Sequence, residues 1–243
     1  MSIRHLDALL EPRSIAVVGA SDRPGSVGAT VWRNLRGGAF KGLLVPVNPS
    51  HREIDGVAVL AHCRDIATAP DLAIVCTPAD SLADVIGELA AVGTRAAIVL
   101  AAGVDAALKQ SLRELARPTT MRLLGPNCLG LLSPHVGLNA SFAQTDALPG
   151  GVAFVSQSGA LVTAVLDWAG SRQVGFSHLI SLGEHMDVDF GDLLDYLASD
   201  AATRAILLYI ESIESPRKFM SAARSAARNK PVIVVKSGRS SKG

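Results

Sequence analysis

The sequence has few of the residues that mark secreted, membrane or metal-binding proteins. Only 3 of its 243 residues are cysteine, and only 4% are aromatic. Cys63, Cys76 and Cys128 are widely spaced and odd in number, which argues against a disulfide framework and against a zinc site. No apolar run reaches the ~18 residues that a membrane helix needs, and the N-terminus lacks a cleavable signal pattern. We therefore expect a cytoplasmic protein with no membrane partner and no bound metal.

Charge of either sign is also scarce. Charged side chains make up 19% of the chain, and 23 basic residues against 22 acidic ones leave a formal net charge of +1. These residues are scattered, so the chain lacks the basic stripe that follows a nucleic-acid backbone, and we expect no nucleic-acid partner. Apolar residues are plentiful instead, at 49% of the chain, which is enough for one large core or two ordinary ones.

Short apolar runs alternate with amphipathic segments along the whole chain. The runs are apolar on both faces, as buried parallel strands are, and cover residues 14–18, 43–47, 72–76, 96–101, 122–124, 152–155, 176–181, 205–210 and 232–235. Helical patterns cover residues 27–35, 81–92, 106–116, 160–171, 192–197 and 216–227. This alternation predicts an α/β protein with doubly wound sheets.

A loop rich in turn-forming residues divides the chain. Residues 139–151 include a proline and two adjacent glycines, and the alternation of strand and helix begins again after them. We therefore predict two α/β domains, at residues 1–143 and 150–243. Trp32 and Trp168 lie on apolar helix faces and are expected to be core residues.

A glycine-rich turn follows the first predicted strand. Gly19 allows a tight turn and Ser21 offers a hydroxyl, while Ser26, Val27 and Gly28 supply backbone N–H groups at a helix start. The turn is therefore predicted to bind a phosphate or a pyrophosphate, although its glycine spacing is not that of the usual dinucleotide fingerprint. The alternative is a glycine-rich turn that serves packing alone.

The ends of the following strands carry residues of the same kind. The second strand ends without the acidic residue that binds ribose in NAD enzymes, so another nucleotide is the better expectation. Ligands of doubly wound sheets lie across the carboxyl ends of the strands. The residues predicted to line that groove are Pro46, Asn48, Pro49, Cys76, Thr77, Pro78, Ala102 and Gly103. Ordinary loop chemistry is the alternative for each, because proline and glycine end many strands.

A second phosphate site is predicted where the apolar run at residues 152–155 meets a helical pattern. Ser156, Ser158 and Gly159 stand at this junction. A helix start presents unpaired backbone N–H groups and partial positive charge, which suit a phosphate. We expect these three residues to form a phosphate cradle.

Five motifs follow one another in a specific order. They are Val-Val-Gly-Ala-Ser at residues 17–21, Pro-Val-Asn-Pro at 46–49, Cys-Thr-Pro at 76–78, Gly-Pro-Asn-Cys-Leu-Gly at 125–130 and Ser-Gln-Ser-Gly at 156–159. In this order the chain resembles the NDP-forming acyl-CoA synthetases, relatives of the succinyl-CoA synthetase α-subunit. The resemblance implies a Rossmann-like domain that binds coenzyme A or acetyl-CoA, followed by a flavodoxin-like, succinyl-CoA ligase-like domain. It also implies that the CoA thiol is directed toward Asn127 and Cys128.

The same resemblance implies a phosphorylated histidine. In that family its phosphate rests at the helix start that corresponds to residues 156–159, and a glutamate at the end of a nearby strand orients the imidazole. Glu211 matches that glutamate; a surface ion pair is the alternative for its carboxylate. The family's histidine follows a Lys-Ser-Gly-Arg segment, which begins here at Lys236, and none of the 6 histidines stands in that context. We therefore expect this chain by itself to bind CoA without completing a ligase cycle.

Four other residues are candidates for metal binding or catalysis, but a structural role is the better expectation for each. Asp187 and Asp189 resemble a metal pair, yet a carboxylate just before a helix is an ordinary cap. Cys128 needs a base to act as a nucleophile, and no histidine is adjacent to it in the sequence. His185 is expected to be a loop residue without a catalytic role.

The resemblance implies partners as well. An ATP-grasp domain or subunit would use ATP with magnesium, and a small carboxylic acid would be the second substrate. Exposed apolar surface would favour an oligomer. Two alternatives remain. Residues 137–142 and 219–232 also resemble lysine acetyltransferases in which a regulatory, acetyl-CoA-sensing region is fused to a GNAT domain, and a free-standing CoA-binding protein is the other alternative.

Overall fold

Alternating strands and helices build two large sheets in the computed structural model, which describes residues 3–238. Within these residues the strands are β1 (Ser14–Val18), β2 (Leu43–Val47), β3 (Glu53–Ile54), β4 (Val57–Ala58), β5 (Leu72–Val75), β6 (Ala96–Val99), β7 (Arg122–Leu124), β8 (Gly130–Ser133), β9 (Leu138–Ser141), β10 (Pro149–Ser156), β11 (Phe176–Ser181), β12 (Ala205–Ile210) and β13 (Val232–Lys236). The α-helices are α1 (Leu6–Leu10), α2 (Val27–Gly37), α3 (Leu82–Ala91), α4 (Ala106–Ala116), α5 (Gly159–Ser171), α6 (Phe190–Ser199) and α7 (Pro216–Ala227). None of these helices combines the length and the apolar character that crossing a membrane requires.

The first sheet has five parallel strands in the order β2-β1-β5-β6-β7. Strands β5, β6 and β7 are buried along their whole length, as strands covered on both faces are. The chain passes from β1 to β2 on one side and then to β5 on the other. The carboxyl end of β1 is therefore the switch point at which doubly wound sheets bind their ligands, and the predicted α/β class is confirmed.

The second sheet is mixed and has the order β13-β12-β10-β11-β8-β9. Strands β10 to β13 are parallel, whereas β8 runs antiparallel to β11 and β9 antiparallel to β8. Strands β8 and β9 lie within the predicted first domain, residues 1–143, yet they pair with the second sheet. Sheet membership thus changes between β7 and β8, ahead of the predicted boundary loop. The sequence analysis missed both strands because their position depends on a partner distant in the chain.

One hydrophobic core runs through both sheets and includes the three buried leucines of α1. Trp32 lies in this core and is 2% exposed, as expected. The expectation for Trp168 is wrong, since its side chain is 52% exposed and the guanidinium of Arg172 lies 5.1 Å from its ring centroid. The charged neighbour covers the ring face by a cation–π contact, which lets the indole remain at the surface.

Residues 183–188, after β11, join the second domain to the first, and we call this contact the interdomain seam. Alternate N–H groups of this loop donate to carbonyl groups at the end of β7 and just beyond it. The pairs are Glu184 to Pro126 at 2.9 Å, Met186 to Gly125 at 2.9 Å and Val188 to Leu123 at 3.1 Å. Arg122 of β7 also pairs with Asp187 at 2.9 Å and with the buried Asp192 at 2.8 Å. The two domains are thus connected by backbone bonds and by a shared charge cluster.

Candidate functional site

The carboxyl end of β1 opens into a groove of about 780 Å³. That volume falls within the range of about 300–1,000 Å³ that is typical of small-molecule sites. Ten of the fifteen residues predicted to bind the cofactor line it: Gly19, Ser21, Ser26, Val27, Gly28, Asn48, Pro49, Cys76, Thr77 and Pro78. They come from the ends of β1, β2 and β5, and these strands are neighbours in the sheet. Strand pairing therefore brings residues from three separate motifs to one place.

The floor of the groove depends on two glycines. Gly19 has a φ of 83°, and a Cβ at Gly28 would overlap the carbonyl oxygen of Gly19. Helix α2 can therefore begin close against the turn that leaves β1. Ser26 is the N-cap of this helix, and its Oγ accepts a hydrogen bond from the N–H of Ala29 at 3.2 Å. The first N–H groups of α2 have no partner within the helix, so the groove holds donors and a positive dipole end suited to a phosphate.

Polar side chains complete the walls of the groove. The amide of Asn48 donates to the carbonyl oxygen of Ala20 at 2.7 Å, which ties the end of β2 to the glycine turn. The hydroxyl of Thr77 is buried and has no hydrogen-bond partner within the described residues. Buried polar atoms are rarely left unpaired, so a hydroxyl in this position fits a site that a polar ligand completes.

Sequence reasoning missed two side chains that carry positive charge or can acquire it here. Arg23 and His51 both line the groove, and the His51 Nε2 lies 3.2 Å from the Asp22 carboxylate. The available signal was a basic residue inside the glycine-rich turn and a histidine just after Asn-Pro-Ser. A negatively charged ligand would therefore meet the guanidinium of Arg23 as well as helix N–H groups.

Five predicted cofactor residues lie outside the groove lining: Pro46, Ala102, Gly103, Asn127 and Cys128. Pro46 is inside β2 and pairs with Val17, so its role is in the strand. Ala102 and Gly103 follow β6, and Asn127 follows β7, at the same edge of the sheet as the groove. The side chain of Asn127 donates to the Glu184 carboxylate at 3.2 Å, which places it at the interdomain seam.

The two thiols of these motifs are kept neutral by burial. Desolvation raises the pKa of both Cys76 and Cys128 to about 12. Cys128 is 3% exposed, and its Sγ lies 3.5 Å from the carbonyl oxygen of Val99. The thiolate is the nucleophilic form, so a thiol that stays protonated near neutral pH is unreactive. Cys128 therefore acts as a packing residue.

The second predicted site lies at the carboxyl end of β10. The Oγ of Ser156 accepts from the Ser158 N–H at 3.0 Å and donates to the Ser158 carbonyl at 3.0 Å. Ser158 is the N-cap of α5, and its Oγ accepts from the N–H of Leu161 at 3.3 Å. Gly159 is the first residue of that helix. Residues 156–159 thus form the capped helix start that the sequence predicts, and phosphate binding there stays a prediction.

Gln157, to which the sequence analysis gave no role, links this loop to the end of β12. Its Oε1 accepts hydrogen bonds from the N–H groups of Glu211 at 2.6 Å and Ser212 at 3.0 Å, and its Nε2 donates to the Ser212 Oγ at 3.1 Å. The Glu211 side chain is exposed and forms no ion pair among the residues that the structure describes. The surface ion pair weighed as its alternative is therefore not seen in this part of the chain.

Two more side chains approach the same strand end. The ammonium of Lys236, at the end of β13, donates to the backbone carbonyl of Glu211 at 2.8 Å. His185 is buried behind Ser212, with its Nε2 3.5 Å from the Ser212 Oγ and its Nδ1 3.8 Å from the carboxylate of Glu214. Pairing of β12 with β13 brings Lys236 to the end of β12. His185 reaches the same strand end as part of the interdomain seam.

The acidic pair near this site has structural roles. Asp187 belongs to the interdomain seam through Arg122. Asp189 is the N-cap of α6, and its Oδ1 accepts from the N–H of Asp192 at 3.0 Å. Among residues 3–238 there is no group of histidine, cysteine and acidic side chains arranged to hold a metal ion. The helix-cap alternative for Asp189 is what the structure shows.

A nucleotide-type groove in one α/β domain and a capped helix start in a second, joined by a hydrogen-bonded seam, define a two-domain α/β protein of the doubly wound class. Comparison with known families is more specific. Residues 13–134 match the family described as CoA binding domain, and residues 149–243 match the succinyl-CoA ligase like flavodoxin domain. The chain belongs to this CoA-binding family, and the family resemblance and fold predicted from the sequence are confirmed.

Individual relatives are ADP-forming ligases. Acetate–CoA ligase [ADP-forming] I of Archaeoglobus fulgidus is 40% identical over 98% of this chain and 35% of that protein. The α subunit of acetate–CoA ligase [ADP-forming] I of Pyrococcus furiosus is 37% identical over 98% of this chain and 54% of that subunit. A solved structure of acetyl-coenzyme A synthetase 1 from Ca. Korarchaeum cryptofilum, in complex with phosphate and ADP, superposes with a TM-score of 0.94 at 36% identity, covering 98% of this chain and 53% of that one. The chain thus spans about half or less of the length of these relatives.

Proposed function

We propose that this chain is the CoA-binding and ligase portion of an ADP-forming acyl-CoA synthetase, with acetate as the expected acid. The complete protein would convert acid, CoA and ATP into acyl-CoA, ADP and phosphate through a phosphohistidine that lies outside the described residues. The observation that carries the proposal is the groove at the switch point of the first sheet, where ten predicted CoA residues meet. The ADP-forming ligases among the relatives support the same reaction.

The groove, with a slot beside it, offers surfaces that suit the phosphates and the base of CoA. Its polar end, at the start of α2, has unpaired N–H groups and Arg23 for the phosphates. At Thr77 it adjoins a slot of about 630 Å³ that is mostly apolar, with Val18, Val47 and Val85 in its lining, and that also includes Arg64, Asp84 and Glu88. A flat adenine ring gains most by leaving water for such a slot. We therefore place the phosphates at the glycine turn and the base in the slot.

The second domain would hold the phosphate of the phosphohistidine. The N–H groups at the start of α5, beside Ser158 and Gly159, would bind its oxygens as they would any anion at a helix start. The ionised carboxylate of Glu211 can only accept a hydrogen bond, so it would hold the imidazole N–H and set the ring's tautomer. An ATP-grasp domain or subunit, carrying ATP with magnesium, would supply the phosphoryl group.

The comparisons also bear on the alternatives. The relatives that match almost the whole of this chain are ADP-forming ligases. They do not favour the alternative of a regulatory acetyl-CoA sensor in a GNAT acetyltransferase. We further propose a cytoplasmic location, which the three free cysteines support. An oligomer is supported by the exposed apolar side chains of β13, namely Ile233, Val234 and Val235.

Two experiments test the proposal. Calorimetric titration of the chain should show binding of CoA and acetyl-CoA, and binding of NAD without CoA would overturn the groove assignment. Thr77→Val should weaken CoA binding, whereas Thr119→Val, an exposed threonine after α4, should not. For the reaction, the complete protein given acetate, CoA and ATP should release ADP and phosphate in equal amounts with acetyl-CoA. Release of AMP and pyrophosphate would contradict an ADP-forming synthetase.

A further inference from the structure

Two successive backbone N–H groups, those of Glu211 and Ser212, converge on a single side-chain oxygen. That oxygen is the Gln157 Oε1, at 2.6 and 3.0 Å. The same amide donates through Nε2 to the Ser212 Oγ, and Gln157 is only 9% exposed. One buried, neutral amide therefore satisfies three hydrogen-bonding groups just beyond the end of β12.

The backbone of Glu211 is hydrogen-bonded on both sides, to residues at the ends of the two neighbouring strands. Its N–H is bound by Gln157, which follows β10, and its carbonyl by Lys236, which ends β13. The Glu211 carboxylate forms no ion pair with a described residue. The backbone bonds therefore fix the point from which the Glu211 side chain extends.

The sheet does not need this contact in order to form. Strands β10 and β12 already pair in parallel from Val152 with Ala205 to Ser156 with Tyr209. Gln157 adds bonds only beyond the last pair, in the segment where the proposed phosphate and the proposed imidazole would meet. The Nε2 of the buried His185, from the interdomain seam, lies 3.5 Å from the Ser212 Oγ, so the seam contacts the same segment.

We propose that Gln157 is a positioning residue that holds Glu211 at a set distance from the predicted phosphate cradle at residues 156–159. The proposal rests on the proposed function, since Glu211 must orient the phosphohistidine for its position to matter. Neutrality suits the role: the amide supplies an acceptor to two N–H groups without placing a second negative charge beside phosphate. A misplacement of about 1 Å at a reacting centre costs up to roughly 100-fold in rate.

The test uses the complete protein and two variants. Gln157→Leu removes all three bonds, and we expect kcat to fall roughly 10- to 100-fold with the KM for CoA unchanged. Gln157→Glu keeps the acceptor but adds a charge, so its activity relative to wild type should rise as the pH falls and the new carboxyl is protonated. Gln110→Leu is the matched control and should keep wild-type kinetics, because Gln110 lies on the exposed face of α4, where it donates to Glu114 at 2.7 Å.

Hydrogen–deuterium exchange gives a second readout that does not depend on turnover. In Gln157→Leu the amides of Glu211 and Ser212 should exchange faster, while those of β12 stay protected. The positioning role would be overturned if kcat, or the exchange rate at residues 211–212, were unchanged in Gln157→Leu. It would also be overturned if the KM for CoA rose by the same factor as kcat fell. If the wild-type protein makes no acyl-CoA the proposed function fails instead, and the exchange measurement still decides whether Gln157 holds this strand end.

Discussion

A Cβ placed on Gly28 would overlap the carbonyl oxygen of Gly19, although eight residues of loop and helix start separate these two glycines. Helix α2 therefore begins in direct contact with the turn that leaves β1. This close approach is what brings the free N–H groups of the helix to the carboxyl edge of the sheet, where the groove lies.

Gly28→Ala should disrupt the CoA groove. The added methyl group has to push the start of α2 away from Gly19, so CoA affinity should fall by about tenfold or more, equivalent to about 1.4 kcal/mol. Calorimetry with CoA measures the loss. Gly37→Ala, at the other end of α2 with open space around it, is the control and should leave CoA affinity unchanged. Equal CoA affinity in both variants would contradict the assignment.

The two N-cap serines should be separable by ligand. Ser26→Ala and Ser158→Ala each remove a side-chain cap, and each should lower the free energy of unfolding by about 1 kcal/mol. Only Ser26→Ala should weaken CoA binding, because α2 borders the groove. Only Ser158→Ala should reduce labelling of the complete protein by ATP carrying a radioactive γ-phosphate. If both variants lost CoA binding and ATP labelling to the same extent, the assignment of CoA to the first site and of phosphate to the second would be wrong.

Glu211→Gln should slow the complete enzyme by roughly 10²-fold or more, because the proposed role of Glu211 is to fix the orientation and the tautomer of the imidazole. The amide keeps the size of the side chain but no longer presents an ionised acceptor to an imidazole N–H. Glu214→Gln, three residues further along, is the comparison and should retain most activity. Steady-state kinetics of acetyl-CoA formation distinguishes them, and a larger loss in Glu214→Gln would disprove the assignment to Glu211.

The pair His178 and Asp200 should make folding stability depend on pH. Burial acts to raise the pKa of Asp200, but the imidazole of His178, 3.3 Å away, and hydrogen bonds from Thr203 and the N–H of Ala202 outweigh it, so this pKa lies well below its ordinary value. A carboxyl group with a lowered folded-state pKa stabilises the fold above its unfolded pKa, and the stabilisation is lost as pH falls through the folded value. Asp200→Asn should therefore cost roughly 1–3 kcal/mol near neutral pH.

Denaturant titration of wild type and Asp200→Asn at several pH values checks this relation. The difference in free energy of unfolding should be constant near neutrality and should shrink below about pH 4, where the unfolded carboxyl becomes protonated. A difference that grows on acidification would have the opposite sign and would rule out the stabilising role of the ionised Asp200.

The folded protein should protect Cys128 from alkylation. Because burial raises its pKa to about 12, almost no thiolate is present at ~pH 8, and iodoacetamide should modify it far more slowly than a free thiol. Mass spectrometry of the digested protein measures the rate, with the denatured chain as reference. Cys128→Ala should also keep CoA binding, since the thiol is directed at the Val99 carbonyl.

Elements with a strong local pattern were predictable from sequence. Strands β1, β2, β11 and β12 have the predicted bounds, because a continuous apolar run bounded by turn-forming residues marks a strand of a parallel sheet. Helices α4 and α7 also match, since their amphipathic patterns begin after Asp105 and with Pro216 respectively. The residues of the groove followed from these elements, because each motif stands at a strand end.

Features that depend on distant partners were not predictable in this way. Strands β8 and β9 are only four residues long each, and β8 is aligned by β11 much later in the chain. Gln157 and Glu211 are 54 residues apart, so nothing local to either indicates that they are bonded. Arg23 and His51 were not predicted as groove residues for the same reason. They lie on loops that follow two different strands, and only strand pairing brings these loops together.

The interdomain seam has a consequence for how such proteins can be recombined. Gly183, with a φ of 58°, leaves room for the carbonyl oxygen of Pro126, and the N–H groups at residues 184, 186 and 188 must meet carbonyls in register. A second domain taken from a relative would fit this first domain only if it brought a glycine and a loop of the same length. The seam and the two strands it joins, β7 and β11, therefore have to be inherited together.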